Sequence, residues 1–363
     1  MSYLVYGFDQ VEDFKLTDLK ASTKFSIIIP FRNEANNLLV LLKSITELKY
    51  PTSLFEVLLI NDDSNDNSVE VIQNYLENLD PNLGLNIKVL SNVRFSNSPK
   101  KDAITFGVNK ASNGWIITTD ADCMLPPYWL DAFDEKIQSS DSISIVGPVT
   151  LINEPSFLNK FQLLEVLGLQ GSTIGSFGMK KPLMCNGANF SYQKSVFLDC
   201  EGYKGNNDIA SGDDLFLLEK FLNYSNDQVH YLKCNKAIVS TRGEVNLKSV
   251  ISQRIRWASK TSNYGEWFTK LVGLIVFLAN LSMIAILPLI LLNMMSLRIG
   301  FALIIIKLGI DFLMEFKASR FFNQENALLY FLFSGILYPV FSVLIVFLSI
   351  ILPYRWKGRT FKK

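Results

Sequence analysis

The sequence predicts an α/β domain, built on a doubly wound sheet and followed by C-terminal transmembrane helices. Short apolar runs alternate with segments of helical periodicity up to residue 119, which is the order expected of β-α-β units. Charged residues concentrate in the first 260 positions. Residues 271–297 and 327–353 contain none, and each of these stretches exceeds the roughly 20 residues needed to cross a bilayer.

Four apolar runs are predicted as neighbouring strands: residues 25–30 (FSIIIP), 55–60 (FEVLLI), 87–90 and 115–119. Their continuous, β-branched character is typical of strands buried on both faces. Apolar residues recur near a 3.6-residue period over 38–45 and 69–79, which predicts helices, and another helix is predicted over 103–111. Such sheets bind ligands outside the carboxyl ends of their strands, so residues that follow a strand are candidate site residues.

Composition argues against several classes of partner. A net charge of +1 over 363 residues provides no basic field for nucleic acid. The four cysteines lie far apart without a CxxC pair, which favours a reducing, cytosolic setting over a zinc site or a disulfide framework. The N-terminal residues MSYLVYGFDQVEDF include early acids and no long apolar core, so we expect neither a signal peptide nor a span there.

The membrane part leaves two arrangements open. Between the two charge-free stretches, residues 297–316 are apolar but carry Lys307, Asp311 and Glu315 on one helical face. This segment is either a third span with Lys307 paired to Asp311, or a re-entrant or interfacial helix. The basic tail, YRWKGRTFKK, should be cytosolic by the positive-inside rule, whereas three spans after a cytosolic domain would place it outside.

Polar clusters follow three of the predicted strands. PFRNE (30–34) follows the first, and NDDSND (61–66) follows the second, where Asp62 is placed to bind a ribose or base. Asp66 and Ser68 are expected to cap the next helix. The strand over 115–119 runs into Asp120-Ala121-Asp122, whose two carboxylates can be directed at one Mg²⁺ or Mn²⁺ ion together with substrate phosphates.

Three later segments each have two interpretations. The segment SGDD (211–214) is either a helix N-terminus or the source of a general base. In QRIRW (253–257), Arg254 is expected at lipid headgroups, while Arg256 and Trp257 can bind pyrophosphate and a sugar ring. Residues 157–169 are amphipathic and either lie on the membrane surface or pack into a core. The single histidine, His230, is expected to be structural.

With these motifs in order, the chain resembles the membrane-bound branch of the inverting family 2 glycosyltransferases of GT-A fold. That branch includes enzymes similar to cellulose and hyaluronan synthases and to ceramide glucosyltransferases. The resemblance covers roughly residues 24–260. Its pieces are SIIIPFRNE, INDDSNDNS, SPKKDAITFG, TTDADCMLPPYWL, NGANFSYQKSVF, SGDDLFLL and QRIRW, the last of which fits the Q/R-x-x-R-W pattern. The usual Asp-Asp-Gly-Ser turn reads Asn-Asp-Asp-Ser here, which bears on nucleotide preference.

The resemblance implies roles for individual residues. Asp214 would be the catalytic base, preceded by Asp213 as the first acid of the pair, and Asp122 would bind the metal together with Asp120. Substrate-binding roles are implied for Asp62, Glu34, Pro30, Lys101, Asp120, Gln253, Arg256 and Trp257.

The resemblance also implies an activity and a layout. The chain would be a metal-dependent hexosyltransferase, using Mg²⁺ or Mn²⁺, that moves a sugar from a nucleotide-sugar, expected to be a UDP-sugar, to a lipid or lipid-linked cell-envelope acceptor. It would be a multi-pass protein of the inner or plasma membrane with a cytosolic catalytic domain. The alternatives are a processive polysaccharide synthase subunit and a non-catalytic nucleotide-sugar-binding subunit. The expected segments are an N-terminal extension (1–23), a GT-A domain (24–260), a membrane domain with two to three helices (261–353) and a basic tail (354–363).

Overall fold

The predicted strands lie side by side in one sheet. The structure is a computed structural model, and it describes residues 1–207, 212–259, 267–356 and 359–361. The described strands are β1 (Phe25–Phe31), β2 (Phe55–Asn61), β3 (Ile87–Ser91), β4 (Trp115–Thr118), β5 (Cys123–Met124), β6 (Ser144–Val146), β7 (Val149–Leu151), β8 (Phe190–Gln193), β9 (Val229–Tyr231), β10 (Val239–Thr241), β11 (Tyr354–Trp356) and β12 (Arg359–Phe361).

The central sheet has seven strands in the order β3-β2-β1-β4-β8-β6-β9. The four predicted strands, β1 to β4, are parallel to their neighbours within this set, which confirms the predicted β-α-β order. β8 runs antiparallel to both β4 and β6, so the sheet is mixed. The mixed half was not predicted, because strands of three or four residues are too short to show a periodicity. A second sheet has the order β5-β10-β7.

Helices cover the sheet and form most of the rest of the described chain. They are α1 (Ser2–Gln10), α2 (Ala35–Thr46), α3 (Ser68–Glu77), α4 (Pro99–Lys110), α5 (Trp129–Gln138), α6 (Phe157–Gly178), α7 (Lys194–Asp199), α8 (Asp213–Ser225), α9 (Leu247–Ala258), α10 (Trp267–Leu291), α11 (Leu297–Phe322) and α12 (Phe331–Ile351).

Both faces of β1 are covered, as the apolar run predicts. Ile27 and Ile29 belong to the same buried cluster as the apolar side chains of α2. On the other face, Ile28 packs against α4 at Gly107, where an added Cβ would lie 2.7 Å from Ile28 Cγ2. A side chain at position 107 would therefore separate the helix from the sheet. Coverage of both faces confirms the doubly wound α/β class.

The chain forms two compact units that alternate along the sequence. The sheet unit comprises Glu12–Thr150 and Met184–Arg242, and the helical unit comprises Met1–Val11, Leu151–Leu183 and Gly243–Lys363. The predicted segment boundaries at residues 23, 260 and 353 stay predictions, since these units group residues by contacts in space.

The helical unit contains two helices that are long and apolar enough to cross a membrane among the described residues, Trp267–Leu291 and Glu325–Ile351. The criteria are length and composition alone. Between them, α11 is a continuous helix of 26 residues. Lys307 Nζ lies 2.6 Å from Asp311 Oδ2, so the predicted pairing of these side chains is confirmed. The two predicted arrangements of α11, a third span and a re-entrant or interfacial helix, both stay predictions.

Helix α6 contains the amphipathic segment 157–169, and it packs inside the helical unit. Leu163 and Leu167 are fully buried, and the helix contacts α1 and α11. The interpretation of this segment as a membrane-surface helix is therefore wrong for these two leucines. The sequence could not settle the question, because both environments favour the same pattern of apolar residues.

Candidate active site

The candidate site lies in the sheet unit, at the carboxyl ends of β1, β2 and β4. The loops that follow β1 and β2 are tied together. Arg32 Nη1 donates to the carbonyl of Asp62 at 2.7 Å, and Asn33 N donates to Ser64 Oγ at 3.1 Å. Asn33 and Asp63 both have positive φ, at 53° and 58°, a conformation that asparagine and aspartate tolerate better than most residues. These contacts hold the turn that presents Asp62.

Asp66 connects the starts of two helices. Its carboxylate accepts hydrogen bonds from the backbone N–H of Ser68, at 3.1 Å, and from that of Ala35, at 3.2 Å. Burial by itself would raise the pKa of Asp66, but hydrogen bonds from Ser68 and Ala35 outweigh it and lower that pKa. Asp66 thus binds the first backbone N–H of both α2 and α3, as a capping residue does. The capping role expected of Ser68 is wrong, because Ser68 is the first residue of α3 and follows the N-cap position.

Asp62 is buried, and its carboxylate has two partners that the sequence reasoning missed. Asn92 Nδ2 donates to Asp62 Oδ1 at 2.9 Å, and Arg94 Nε lies 3.4 Å from the same oxygen. Both partners follow β3, the next strand in the sheet. Their position after a predicted strand was the available signal. Nothing in the local pattern distinguished them from ordinary loop residues.

A lysine joins the carboxylates at the end of β4 to those of α8. Lys100 Nζ lies 2.7 Å from Asp120 Oδ1 and 3.1 Å from Asp213 Oδ2. Burial by itself would lower the pKa of the Lys100 ammonium, but the charges of Asp120 and Asp213 outweigh it and raise that pKa above its usual value. Lys100 therefore stays charged and compensates carboxylates from two distant parts of the chain.

The two acids of the Asp120-Ala121-Asp122 motif have different surroundings. Asp120 contacts Lys100, whereas Asp122 is exposed and accepts a weak hydrogen bond from Cys123 Sγ at 3.7 Å. Burial, together with the charges of Asp122 and Asp120, raises the pKa of the Cys123 thiol, which keeps it a donor. Ala121, which lies between them in the motif, is buried. Its buried position accounts for the small side chain there.

Among the residues that the structure describes, no group of three or more His, Cys, Asp or Glu side chains is placed to hold one metal ion. Mg²⁺ and Mn²⁺ sites often use one or two protein carboxylates and complete their shell with water and substrate phosphate. An exposed aspartate two residues from a second, partly exposed one fits that donor set. Metal binding by Asp120 and Asp122 stays a prediction.

The acid pair lies at the first turn of α8, which begins at Asp213, while Ser211 falls outside the described residues. Asp214 Oδ2 accepts a long hydrogen bond from Gly187 N at 3.4 Å, and Oδ1 accepts from Leu215 N at 2.9 Å. A Cβ added to Gly187 would lie 3.0 Å from Asp213 Oδ2. Because Gly187 has no side chain, the backbone of the NGANF segment can approach Asp213 and Asp214 closely. This role of Gly187 was not predicted.

Three residues of the sheet unit that were predicted to bind substrate are Lys101, Glu34 and Pro30. The contacts described for them are with other residues of the protein. Lys101 is buried, donates to the carbonyl of Asn206 at 2.8 Å and lies 4.6 Å from the ring centroid of Phe216. Glu34 Oε2 accepts from Asn37 Nδ2 at 2.8 Å, and Pro30 lies within β1. Their roles stay predictions. Of the two adjacent lysines, Lys100 is the one between the carboxylates.

Gln253, Arg256 and Trp257 belong to α9 in the helical unit, so their predicted roles are not tested by the geometry of the sheet unit. Their neighbour Arg254 corrects an expectation. It is buried, its Nη2 lies 2.7 Å from Glu165 Oε2, and its guanidinium lies 4.3 Å from the Trp257 ring centroid. Arg254 is therefore an internal ion-pair partner and does not reach lipid headgroups. Gln253 donates to Glu244 Oε1 at 3.0 Å.

His230, in contrast, fits its structural role. It lies in β9, where its Nδ1 is 2.7 Å from Ser142 Oγ. Burial lowers the pKa of His230, which keeps the ring neutral at physiological pH.

The comparisons with solved structures support the fold. A mannosyltransferase of Pyrobaculum calidifontis, solved in complex with GDP-Man and Mn²⁺, superposes with a TM-score of 0.54 at 13% identity, covering 96% of this chain and 94% of that one. At this identity the likeness concerns the fold alone. The GT-A type of α/β sheet that the sequence implied is confirmed.

Two groups of curated relatives match parts of the chain. The poly-beta-1,6-N-acetyl-D-glucosamine synthase of Staphylococcus epidermidis is 25% identical over 241 residues, which is 64% of this chain and 53% of the relative. The undecaprenyl-phosphate 4-deoxy-4-formamido-L-arabinose transferase of Yersinia pestis is 36% identical over 160 residues, 43% of this chain and 46% of the relative. The chain thus spans about half the length of these relatives.

The family comparison concerns the residues from β1 to α7. The family model described as "Glycosyl transferase family 2" matches residues 26–200 of this chain. This range contains Asp62, Lys100, Asp120 and Asp122, and it ends before the acid pair of α8. The chain therefore carries a glycosyl transferase family 2 domain, formed by residues 26–200.

Proposed function

We propose that the chain is an inverting glycosyltransferase that moves a hexose from a UDP-sugar to a hydroxyl of a lipid or lipid-linked cell-envelope acceptor. The main support is the contact of Lys100 with both Asp120 and Asp213. It brings the end of β4 and the start of α8 to one place. Acids that are to handle a diphosphate and an acceptor proton must lie within reach of one substrate, and this contact provides that proximity.

Asp214 is proposed as the general base. Backbone N–H groups of Gly187 and Leu215 orient its carboxylate, which takes the proton of the acceptor hydroxyl. The acceptor oxygen then bonds to the anomeric carbon while the bond from that carbon to the diphosphate oxygen breaks. Attack from the opposite face inverts the configuration. No protein nucleophile takes part in this single displacement.

Donor binding is assigned to residues around Asp62, Asp120 and Asp122. The Asp62 carboxylate, with its partners Asn92 and Arg94, is proposed to bind the ribose or base. Asp122 and Asp120 would hold Mg²⁺ or Mn²⁺, which neutralises charge on the leaving diphosphate. Gln253, Arg256 and Trp257 are proposed to contact the diphosphate and the acceptor end, and Pro30, Glu34 and Lys101 to support donor binding.

The site of action is proposed to be the cytosolic face of the membrane. Two apolar helices long enough to span it support this proposal, as do relatives described as a polysaccharide synthase and an undecaprenyl-phosphate sugar transferase. We propose a multi-pass chain of the inner or plasma membrane with its catalytic domain and basic tail in the cytosol.

A processive polysaccharide synthase is the second candidate, favoured by the likeness to the Staphylococcus epidermidis synthase. Product length on a defined acceptor distinguishes the two, because single transfer adds one sugar. A non-catalytic nucleotide-sugar-binding subunit is disfavoured by the four carboxylates present at positions 120, 122, 213 and 214.

The base assignment is tested with Asp214→Asn in membranes that contain the full chain. Removing a general base costs about 10² to 10⁴ in rate, so transfer of label from a radioactive nucleotide-sugar should fall by that factor while donor affinity is retained. Asp227→Asn, an exposed aspartate beyond the same helix, is the matched control. Turnover by Asp214→Asn at the wild-type rate would refute the assignment. A panel of nucleotide-sugars, with and without a chelator, identifies the donor and tests the metal.

A further inference from the structure

A loop over residues 200–206, in the sheet unit, follows α7 and precedes α8, and the proposed reaction does not use it. It leads towards the acid pair, since α8 begins at Asp213. Glu201, Gly202 and Gly205 have positive φ, at 55°, 48° and 90°, a conformation that is found in tight turns. The backbone carbonyls of such a loop need hydrogen-bond donors other than those of a regular helix or strand.

Lys220 of α8 supplies three such donors. Its ammonium donates to the carbonyls of Cys200 at 2.9 Å, Gly202 at 2.6 Å and Lys204 at 2.9 Å. A lysine ammonium has three N–H donors, so all of them are used on this one loop. Lys220 lies seven residues, or about two turns, after Asp213. The loop is therefore attached to the helix that carries the acid pair.

A second lysine attaches the end of the loop. Lys101 of α4 donates to the carbonyl of Asn206 at 2.8 Å, and its ammonium lies 4.6 Å from the ring centroid of Phe216 in α8. Asp213, Phe216 and Lys220 follow one another at intervals of three and four residues, so they share one face of the helix. This face of α8 is thus fastened both to the loop and to α4.

The first turn of α8 depends on these contacts because its N-terminus lacks a cap. The N-cap residue is Gly212, with φ of 80°, and glycine has no side chain that could bind the free backbone N–H groups of the first turn. Glycine also restricts the backbone less than any other residue. The position of Asp214 in this turn is consequently set by contacts further along the helix and with neighbouring segments.

We infer that Lys220 is a positioning residue for the general base. By holding the loop against α8, it fixes the direction in which the chain enters the helix, and with it the place of the Asp214 carboxylate. A general base must lie within hydrogen-bond reach of the proton that it takes, and a displacement of about 1 Å can cost about 10² in rate. Lys220 acts through Asp214. The inference rests on the proposed function in taking Asp214 as the base.

The experiment compares Lys220→Met with the wild type in membranes that contain the full chain, using the nucleotide-sugar that the wild type turns over. The substitution removes the three donors and keeps most of the side-chain length. We expect kcat to fall about 10- to 10²-fold. The KM for the donor and the number of donor-binding sites per chain should stay at the wild-type values, because the proposed donor contacts lie on other elements.

Hydrogen exchange of the detergent-solubilised chain is the second measurement. In Lys220→Met, the amides of the loop and of the first turn of α8 should exchange faster, while those of β1 and β2 should not change. The matched control is Lys194→Met, which removes a contact of the same kind at the far end of α4, from Lys194 Nζ to the carbonyl of Ala111 at 2.7 Å. This control should keep the wild-type kcat.

A wild-type kcat in Lys220→Met would overturn the inference. A fall in kcat that is matched by a loss of donor-binding sites would overturn it too, since that result indicates an unfolded fraction of the chain. Asp214→Asn, measured in parallel, separates this inference from the proposed function. If Asp214→Asn loses turnover while Lys220→Met keeps it, the inference alone fails, whereas full turnover by Asp214→Asn refutes the proposed base itself.

Discussion

At the scale of single residues, the site depends on compensating negative charge. Asp120 and Asp213 each lie within 3.1 Å of Lys100 Nζ, and Asp214 is adjacent to Asp213 in the first turn of α8. Without the lysine, these carboxylates would repel one another and also repel an incoming diphosphate. In the proposed reaction, Lys100 would therefore assist the approach of the donor as well as stabilise the local structure.

Lys100→Met is expected to lower transfer by about 10², the effect typical of losing one positioned electrostatic group in an active site. The side-chain length is kept while the charge is removed, so donor binding should weaken together with turnover. The measurements are KM and kcat with a radioactive nucleotide-sugar.

Lys110→Met, at the end of the same helix, is the control and should behave as wild type. If Lys100→Met kept the wild-type kcat/KM, the lysine would be a structural side chain without influence on donor binding.

At the scale of elements, helix α1 docks on α6 through glycines. An added Cβ on Gly175 would lie 2.1 Å from the carbonyl oxygen of Leu4, and one on Gly178 would lie 1.9 Å from that of Gly7. The two backbones are in direct contact, which only residues without a side chain allow. An ion pair between Asp9 and Lys317 of α11, at 2.7 Å, adds a second attachment.

Gly175→Val should therefore release α1 while leaving the sheet unit folded, because the clash is with the backbone of Leu4 and cannot be relieved by a rotamer change. Hydrogen exchange of the detergent-solubilised chain measures this, and the amides of residues 4–10 should exchange faster than in the wild type. Gly273→Val is the control, since an added Cβ there has no neighbour within 4 Å. Unchanged protection of α1 in Gly175→Val would show that the two helices separate without loss of stability.

At the scale of the whole molecule, the number of crossings in the proposed membrane arrangement depends on α11. α10 and α12 are each long and apolar enough to cross, and two crossings would return the basic tail to the cytosol. If α11 also crossed completely, the tail would lie outside, against the positive-inside rule. Helix α11 carries Lys307, Asp311 and Glu315. Of the three helices, it is therefore the one whose full crossing costs the most free energy.

A fusion of green fluorescent protein after Lys363 should accordingly fluoresce in a bacterial host, because the fluorophore matures in the cytosol and not after export by the general secretory route. The matching fusion with alkaline phosphatase should be inactive. Fluorescence of whole cells and phosphatase activity are the two measurements. The opposite pair of results would establish three crossings and an external tail.

Several features were predictable from the sequence because they depend on neighbouring residues. The runs FSIIIP and FEVLLI identify β1 and β2, since burial on both faces requires continuous apolar residues. The acids that follow β2 and β4 were expected at one edge of the sheet because parallel strands end on the same side. The pairing of Lys307 with Asp311 follows from their spacing of four residues in a helix.

Only the tertiary structure decided which side chains meet across distant segments. Lys100, rather than its neighbour Lys101, contacts Asp213, more than 100 residues later in the chain, and Arg254 pairs with Glu165 inside the helical unit. A sequence pattern reports the period and polarity of neighbouring residues. It contains no distance between segments that are far apart, and these contacts are defined by such distances, which arise only when the chain packs.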